Sequence, residues 1–258
     1  MVSSGQGAAR RVVVTGGGKG IGKAIVDRFA QLGDSVVALG RDERSLKELA
    51  AEQNDSGRGV EYEICDVTLE EAVHDVFDRI GSVDVLVNNA GISTSAPLHK
   101  TTLEQWQQQI AVNATGAFLC TRAVAPQMRE RNAGRIVFVA STAGVIGAPY
   151  TSGYVASKHA EVGLMRAVAA EFAGTRVTAN AVCPTYVETE MVERTVERIS
   201  QTTGRSETEA RAALEGSSPL GRLLDPYEVA ATVVFLASLE AGAINGQVVI
   251  MDGGGFQR

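Results

Sequence analysis

The sequence predicts an α/β fold: one doubly wound parallel sheet of about seven strands, flanked by helices. Three observations carry this prediction. Short β-branched runs alternate with longer stretches of helical periodicity from Arg11 onward. The first of those runs leads straight into a cluster of glycines. The 258 residues, 45% of them hydrophobic, are enough for one sizeable core.

The elements follow in order. The strands are RVVVT (11–15), SVVALG (35–40), VEYEI (60–64), VDVLVN (83–88), RIVFVA (135–140), RVTANAV (176–182) and QVVIM (247–251), each a short apolar or β-branched run suited to burial on both faces of a parallel sheet. Helical periodicity fills the intervals at about 21–32, 42–53, 69–80, 102–130, 153–173 and 226–238. No repeat, proline-rich linker or low-complexity segment interrupts the alternation, so residues 1–258 are expected to form a single nucleotide-binding domain. Residues 185–220 break the rhythm: they are polar and helical in composition without a strongly apolar stripe. They read as a helical insertion covering the strand ends, with a plain surface hairpin as the alternative.

Composition excludes some classes of function. A net charge of −6 provides no positive field for nucleic acid or an anionic membrane. No stretch offers the run of about 18 apolar residues that a membrane span needs, and the opening MVSSGQGAARR lacks a long apolar run before its arginines. A cytoplasmic protein acting on a small molecule is the expectation. Cys65, Cys120 and Cys183 are odd in number and far apart, which argues against a disulfide framework or a cysteine zinc site, and His74, His99 and His159 are equally scattered. No metal is expected.

The glycine cluster marks the first functional end. VVVTGGGKGIG runs from strand to helix, and its spacing is TGxxxGxG, carried by Thr15, Gly16, Gly20 and Gly22, with Gly18, Lys19 and Ile21 between them. Small residues there let the backbone turn tightly and aim a helix N-terminus at a pyrophosphate, the arrangement of a Rossmann-type sheet. In such a sheet the residue ending the second strand selects the cofactor, because an acid there accepts the ribose hydroxyl and repels a 2′-phosphate. Here Gly40 is followed by Arg41, with Lys19 as a second cation, a pair suited to a phosphate dianion. NADPH is therefore favoured over NADH, although Asp42 keeps NADH in play.

Taken together, TGGGKGIG (15–22), CDVT (65–68), NNAG (88–91), Asn113, Ser141, YVASK (154–158) and CPTYVET (183–189) resemble the short-chain dehydrogenase/reductase family over about residues 10–255. The resemblance implies that Asp66 and Val67 hold the adenine and that Asn89, Ala90 and Gly91 line the adenosine and ribose path. It implies that Pro184, Val187 and Thr189 face the nicotinamide amide, and that Asn113, Ser141, Tyr154 and Lys158 are the catalytic four. One departure is visible: the family usually has Pro-Gly where Pro184 is followed by Thr185.

Tyr154 and Lys158 stand four residues apart, so a helix projects both from one face. A phenol ordinarily ionises near pH 10, and an adjacent cation favours its phenolate. Tyr154 is thus expected to give a proton to a carbonyl oxygen as hydride arrives at carbon. Ser141 is expected to hydrogen-bond the same oxygen, and Lys158 to bind the nicotinamide ribose as well. Asn113, placed where a helix should be interrupted, is expected to hold a water that resupplies the proton through Lys158.

Within the family the chain looks closest to ketoreductases acting on 3-oxoacyl thioesters, including polyketide types, and to 3-hydroxybutyrate dehydrogenases. A free carboxylate substrate needs cations, yet ISTSAPL (92–98) and TAGVIGAPYTSG (142–153) contain no His, Lys or Arg. An apolar pocket walled by Val145, Ile146, Tyr150 and Tyr186 is expected, with Arg194 and Arg198 either meeting a carrier phosphate or lying solvated. The leading expectation is an NADPH-dependent reductase of ketones, possible carrier- or CoA-bound substrates included. An NAD(P)-dependent secondary alcohol dehydrogenase and a non-catalytic nucleotide sensor are the alternatives. The resemblance also implies a homotetramer built through residues 102–130 and 153–173 and the last helix and strand.

Overall fold

The computed structural model describes residues 9–256, so residues 1–8 of the opening MVSSGQGAARR lie outside the described residues. The first half of the chain runs β1 (Arg11–Thr15), α1 (Gly20–Gln31), β2 (Ser35–Gly40), α2 (Glu43–Asp55), β3 (Val60–Ile64), α3 (Glu70–Ile80) and β4 (Val85–Asn88). The second half runs α4 (Leu103–Gln109), α5 (Gly116–Arg131), β5 (Gly134–Val139), α6 (Ser152–Glu171), β6 (Val177–Pro184), α7 (Glu190–Thr203), α8 (Glu207–Glu215), α9 (Pro226–Leu236) and β7 (Val248–Met251).

The strands form one parallel sheet in the order β3-β2-β1-β4-β5-β6-β7. Parallel strands need crossovers, and the intervening helices cover both faces. Alternate residues therefore enter two cores. Val13, Leu86, Ile136 and Phe138 pack with α3, α5 and α6, whereas Val12, Val14, Val85 and Val137 pack with α1, α2 and α9. Each such side chain, fully buried, contributes about 1.5–3 kcal/mol. The strand order reverses between β1 and β4, which opens a crevice at their carboxyl ends.

Strand boundaries shift where a side chain takes a backbone amide from the ladder. The fourth strand begins at Val85, not Val83, because the Val83 amide donates to Gln127 Oε1 at 2.9 Å. The sixth begins at Val177 because the Arg176 amide donates to Asn132 Oδ1 at 2.9 Å.

The expected helix over 102–130 is interrupted at the expected place. Residues Ile110–Thr115 form a π-helical stretch between α4 and α5, and Asn113 sits in it, fully buried. The region 185–220 folds as α7 and α8, and here the sequence reading needs correction. Val192, Val196, Ala210, Leu214 and Leu223 form a small apolar cluster of their own, so these helices pack on each other and not only on the sheet. Val192, Val196 and Ile199 stand at the i, i+4, i+7 spacing of a helical stripe, so that signal was present in the sequence, though the helix it packs against was not. Among the described residues, no helix is long and apolar enough to cross a membrane.

Candidate active site

The glycine loop between β1 and α1 is held open by the absence of side chains. Gly16 has φ +63°, and a Cβ there would lie 3.0 Å from Ala90 Cα. At Gly22 a Cβ would fall 2.0 Å from the Gly16 carbonyl oxygen, which no side chain can tolerate. Helix α1 then starts with no side-chain cap, leaving its first amides without side-chain acceptors. By contrast, Asp42, Thr102 and Asp225 cap α2, α4 and α9. An uncapped N-terminus beside an emptied cradle suits a pyrophosphate.

Thr15 and Asn89 lock this loop to the end of β4. The Thr15 hydroxyl accepts from the amides of Asn89 and Ala90, each at 2.9 Å. In return, Asn89 Nδ2 donates to the Thr15 and Gly16 carbonyls at 2.9 and 3.2 Å.

At the end of β2 the charges are arranged less simply than the sequence suggests. Arg41 is exposed, and its guanidinium stands 3.7 Å from Asp66 Oδ2. Asp66 also accepts from the Thr68 amide and hydroxyl at 3.0 and 2.7 Å; burial works against its charge, but Thr68 and then Arg41 outweigh this and hold its pKa below the ordinary value. Lys19 is not a free cation. Its ammonium lies 3.0 Å from Asp42 and 3.7 Å from Glu190, and these partners, Asp42 first, raise its pKa.

Helix α6 carries the second cluster. Tyr154 is half-buried, and Lys158 is almost wholly buried. The Lys158 ammonium donates to the Val139 carbonyl at 3.0 Å and to Glu161 Oε2 at 2.7 Å. Burial disfavours this ammonium, but Glu161 and then Tyr154 outweigh it, so its pKa is raised. Asn113 holds the loop after β4: its Oδ1 accepts from the Ile92 amide at 2.8 Å, and its Nδ2 donates to the Ile92 carbonyl at 3.0 Å and to Ser157 Oγ at 2.8 Å. A Cβ at Gly91 would stand 3.5 Å from Asn113 Oδ1 and 3.6 Å from Lys158 Nζ, so the two groups flank Gly91. Ser141 follows β5, and its Oγ accepts from the Ala143 amide at 3.1 Å.

The glycine cradle and the Tyr154–Lys158 face of α6 meet in a cavity of about 220 Å³. Of the residues singled out from the sequence, Gly16, Lys19, Gly20, Ile21, Gly22, Asn89, Ala90, Gly91, Tyr154, Lys158 and Thr189 line it. Gly18, Arg41, Asp66, Val67, Asn113, Ser141, Pro184 and Val187 do not, nor do the expected pocket walls Val145, Ile146, Tyr150 and Tyr186. Tyr150 is instead two-thirds exposed, at φ +65°. Glu190, Met191 and Arg194 from the start of α7 do line the cavity. Thr185, the departure from Pro-Gly, donates to the Met251 carbonyl at 3.0 Å and takes no left-handed backbone, so the position does not require glycine.

The residue that the sequence reading missed is Glu161. Its signal was available: positions 158, 161, 162 and 165 fall on one helical face, and that face is buried by Val162 and Met165. An acid on such a stripe needs a partner.

The architecture and the motifs agree with comparisons to known proteins. The family described as short chain dehydrogenase matches residues 10–200. This chain belongs to the short-chain dehydrogenase family. It is 37% identical over 246 residues to a 3-oxoacyl-[acyl-carrier-protein] reductase of Thermotoga maritima, covering 94% of this chain and 96% of that one. It is 39% identical over 254 residues to an acetoacetyl-CoA reductase of Rhizobium meliloti, covering 96% and 99%. Among solved structures, a variant actinorhodin polyketide ketoreductase with NADPH superposes with a TM-score of 0.90 at 37% identity, covering 95% of this chain and 97% of that one. As a short-chain dehydrogenase, the protein is an oxidoreductase acting on the alcohol–ketone couple.

Proposed function

We propose that this short-chain dehydrogenase is an NADPH-dependent reductase of 3-oxoacyl-type ketones, with Tyr154 as the general acid. The observation that carries the reading is the convergence of Tyr154, Lys158 and the glycine cradle on one cavity. The names of the reductases acting on 3-oxoacyl and acetoacetyl thioesters support the substrate class, and the NADPH of the actinorhodin ketoreductase structure supports the cofactor.

The cradle fits a dinucleotide, since Gly16 and Gly22 leave space that any side chain would fill. Gly16, Gly18, Gly20, Ile21 and Gly22 would hold its pyrophosphate, Asp66 and Val67 the adenine, and Asn89, Ala90 and Gly91 the ribose path. Pro184, Val187 and Thr189 would hold the nicotinamide amide. Arg41 would take the 2′-phosphate, while Lys19, already shared between Asp42 and Glu190, is the weaker contributor. When bound, the nicotinamide supplies the hydride.

The chain's own residues manage the proton and the oxygen. Tyr154 donates its phenolic proton to the carbonyl oxygen. Ser141 accepts from Ala143, which leaves its O–H to donate to the same oxygen and fix it in line. Of the three Lys158 donors, two go to Val139 and Glu161, leaving one for a ribose hydroxyl or the phenol side. Both Nδ2 protons of Asn113 are spent on Ile92 and Ser157, so a relay water there would lie on an oxygen of that residue.

In this reading α7 and α8 cover the site, and Arg194, which lines the cavity where Arg198 does not, meets a carrier or CoA phosphate. The protein works as a cytoplasmic homotetramer of single-domain subunits. A panel of ketones including acetoacetyl-CoA, followed by NADPH oxidation, tests the function. Tyr154→Phe should cut kcat about 100- to 10,000-fold while leaving NADPH binding intact. If wild type and Tyr154→Phe are equally inert and both bind NADPH tightly, the protein is a nucleotide sensor instead.

A further inference from the structure

Next to the reacting groups lies a carboxylate that the scheme above does not use. Glu161 is 1% exposed, and its Oε2 sits 2.7 Å from Lys158 Nζ. Ions are expensive to bury, and a hydrophobic residue of similar volume is often neutral or better than a buried ion pair. Such a residue would continue the stripe made by Val162 and Met165. The one ion-pair partner of Glu161 among the described residues is Lys158, the cation expected to act on Tyr154.

We infer that Glu161 is a positioning residue for proton transfer: it ties the Lys158 ammonium toward its own side of the helix and, by neutralising it, sets how readily Tyr154 ionises. The inference rests on the reading of Tyr154 as general acid. A lone ammonium beside a phenol favours phenolate, whereas an ammonium matched by a carboxylate does so far less.

The surrounding charges are few. On α6, Lys158 is the direct partner and Tyr154 acts on Lys158, while Arg166 is exposed one turn on. From β6, Cys183 faces the pair, and burial pushes its thiol up to about 11, so it is neutral below that pH; just after β6, Tyr186 faces Tyr154, and burial and then Tyr154 raise its pKa. Burial also pushes the Glu161 carboxyl up to about 7, against the pull of Lys158.

The test is a tyrosinate titration by ultraviolet difference absorbance on the full chain, with Tyr154→Phe subtracted to isolate one of the five tyrosines. In Glu161→Gln, the Tyr154 signal should titrate about one pH unit away from its wild-type position, because Lys158 loses the carboxylate that offsets its burial. The loss of ketone-reducing kcat at alkaline pH should move by the same amount. Glu161→Asp should shift less in the same direction, and it carries the test alone if Glu161→Gln does not fold. A purely structural role would lower the melting temperature without moving the titration. An unchanged Tyr154 titration in a folded variant overturns the inference. Because the titration needs no substrate, a protein inert toward every ketone that still shows the shift sinks the reductase reading and leaves only the coupling of Glu161 to Tyr154 standing.

Discussion

Thr15 and Asn89, 74 residues apart, hold each other through both main chain and side chain: the Thr15 hydroxyl receives the Asn89 amide at 2.9 Å, and Asn89 Nδ2 reaches the Thr15 carbonyl at 2.9 Å. This reciprocal pair fixes the glycine loop against the end of β4, where the strand order reverses. Cofactor affinity should therefore depend on a side chain that serves the loop's shape. Asn89→Ala leaves the Thr15 and Gly16 carbonyls without that donor, at a cost of about 1–3 kcal/mol in stability by denaturant unfolding. It should also weaken NADPH binding about tenfold or more by calorimetric titration. Unaltered affinity would mean that the loop holds its shape without Asn89.

Arg41 and Lys19 make different predictions because one is loosely held and the other is already engaged. Arg41 is exposed and 3.7 Å from Asp66, free to turn to a 2′-phosphate. Arg41→Ala should raise the dissociation constant for NADPH about tenfold or more and that for NADH little. Lys19→Ala should have a smaller effect, since Asp42 and Glu190 already compete for its ammonium. Equal losses for both nicotinamides in Arg41→Ala would remove the phosphate assignment.

The buried Glu161 should also leave a mark on stability. Its folded pKa, about 7, lies above the value of 4.5 expected in the unfolded chain, so the folded state binds the extra proton more tightly. Its contribution is fully present below about pH 4.5 and is lost as pH rises toward 7. Lys158, whose pKa is raised, adds stability that is lost only at alkaline pH, outside this window. Exposed carboxylates such as Asp42 and Glu209 have lowered values and change stability in the opposite sense, weakly. They are common to wild type and Glu161→Gln and cancel in the difference, which reads Glu161 together with its hold on Lys158. From pH 4.5 to 7, wild type should lose stability relative to Glu161→Gln in guanidinium titrations. Parallel curves would place the Glu161 titration elsewhere.

The Asn113 helix break and the polar stretch 185–220 show how far a one-dimensional reading reaches. The break was legible, since the motif order called for an asparagine within a long helical pattern, and it proved to be a π-helical stretch that turns Asn113 toward Ile92 and Ser157. The internal core of α7 and α8 was not legible. Val192 and Val196 find Ala210 and Leu214 only after the chain has turned back on itself, and no single periodic window contains both pairs.

By itself the sequence determined the order of strands and helices, the glycine cradle and the spacing of Tyr154 and Lys158. Each of these follows from local propensity, from residues too small to obstruct, or from a repeat of four along one helix. Only the tertiary structure decided that Lys19 is shared between Asp42 and Glu190, that Arg194 and not Tyr150 reaches the cavity, and that Glu161 shares its burial with Lys158. The physical reason is that burial and charge pairing belong to surfaces brought together by packing. A carboxylate three residues from a lysine is an ordinary solvated pair until β5 and β6 close over it and remove the water.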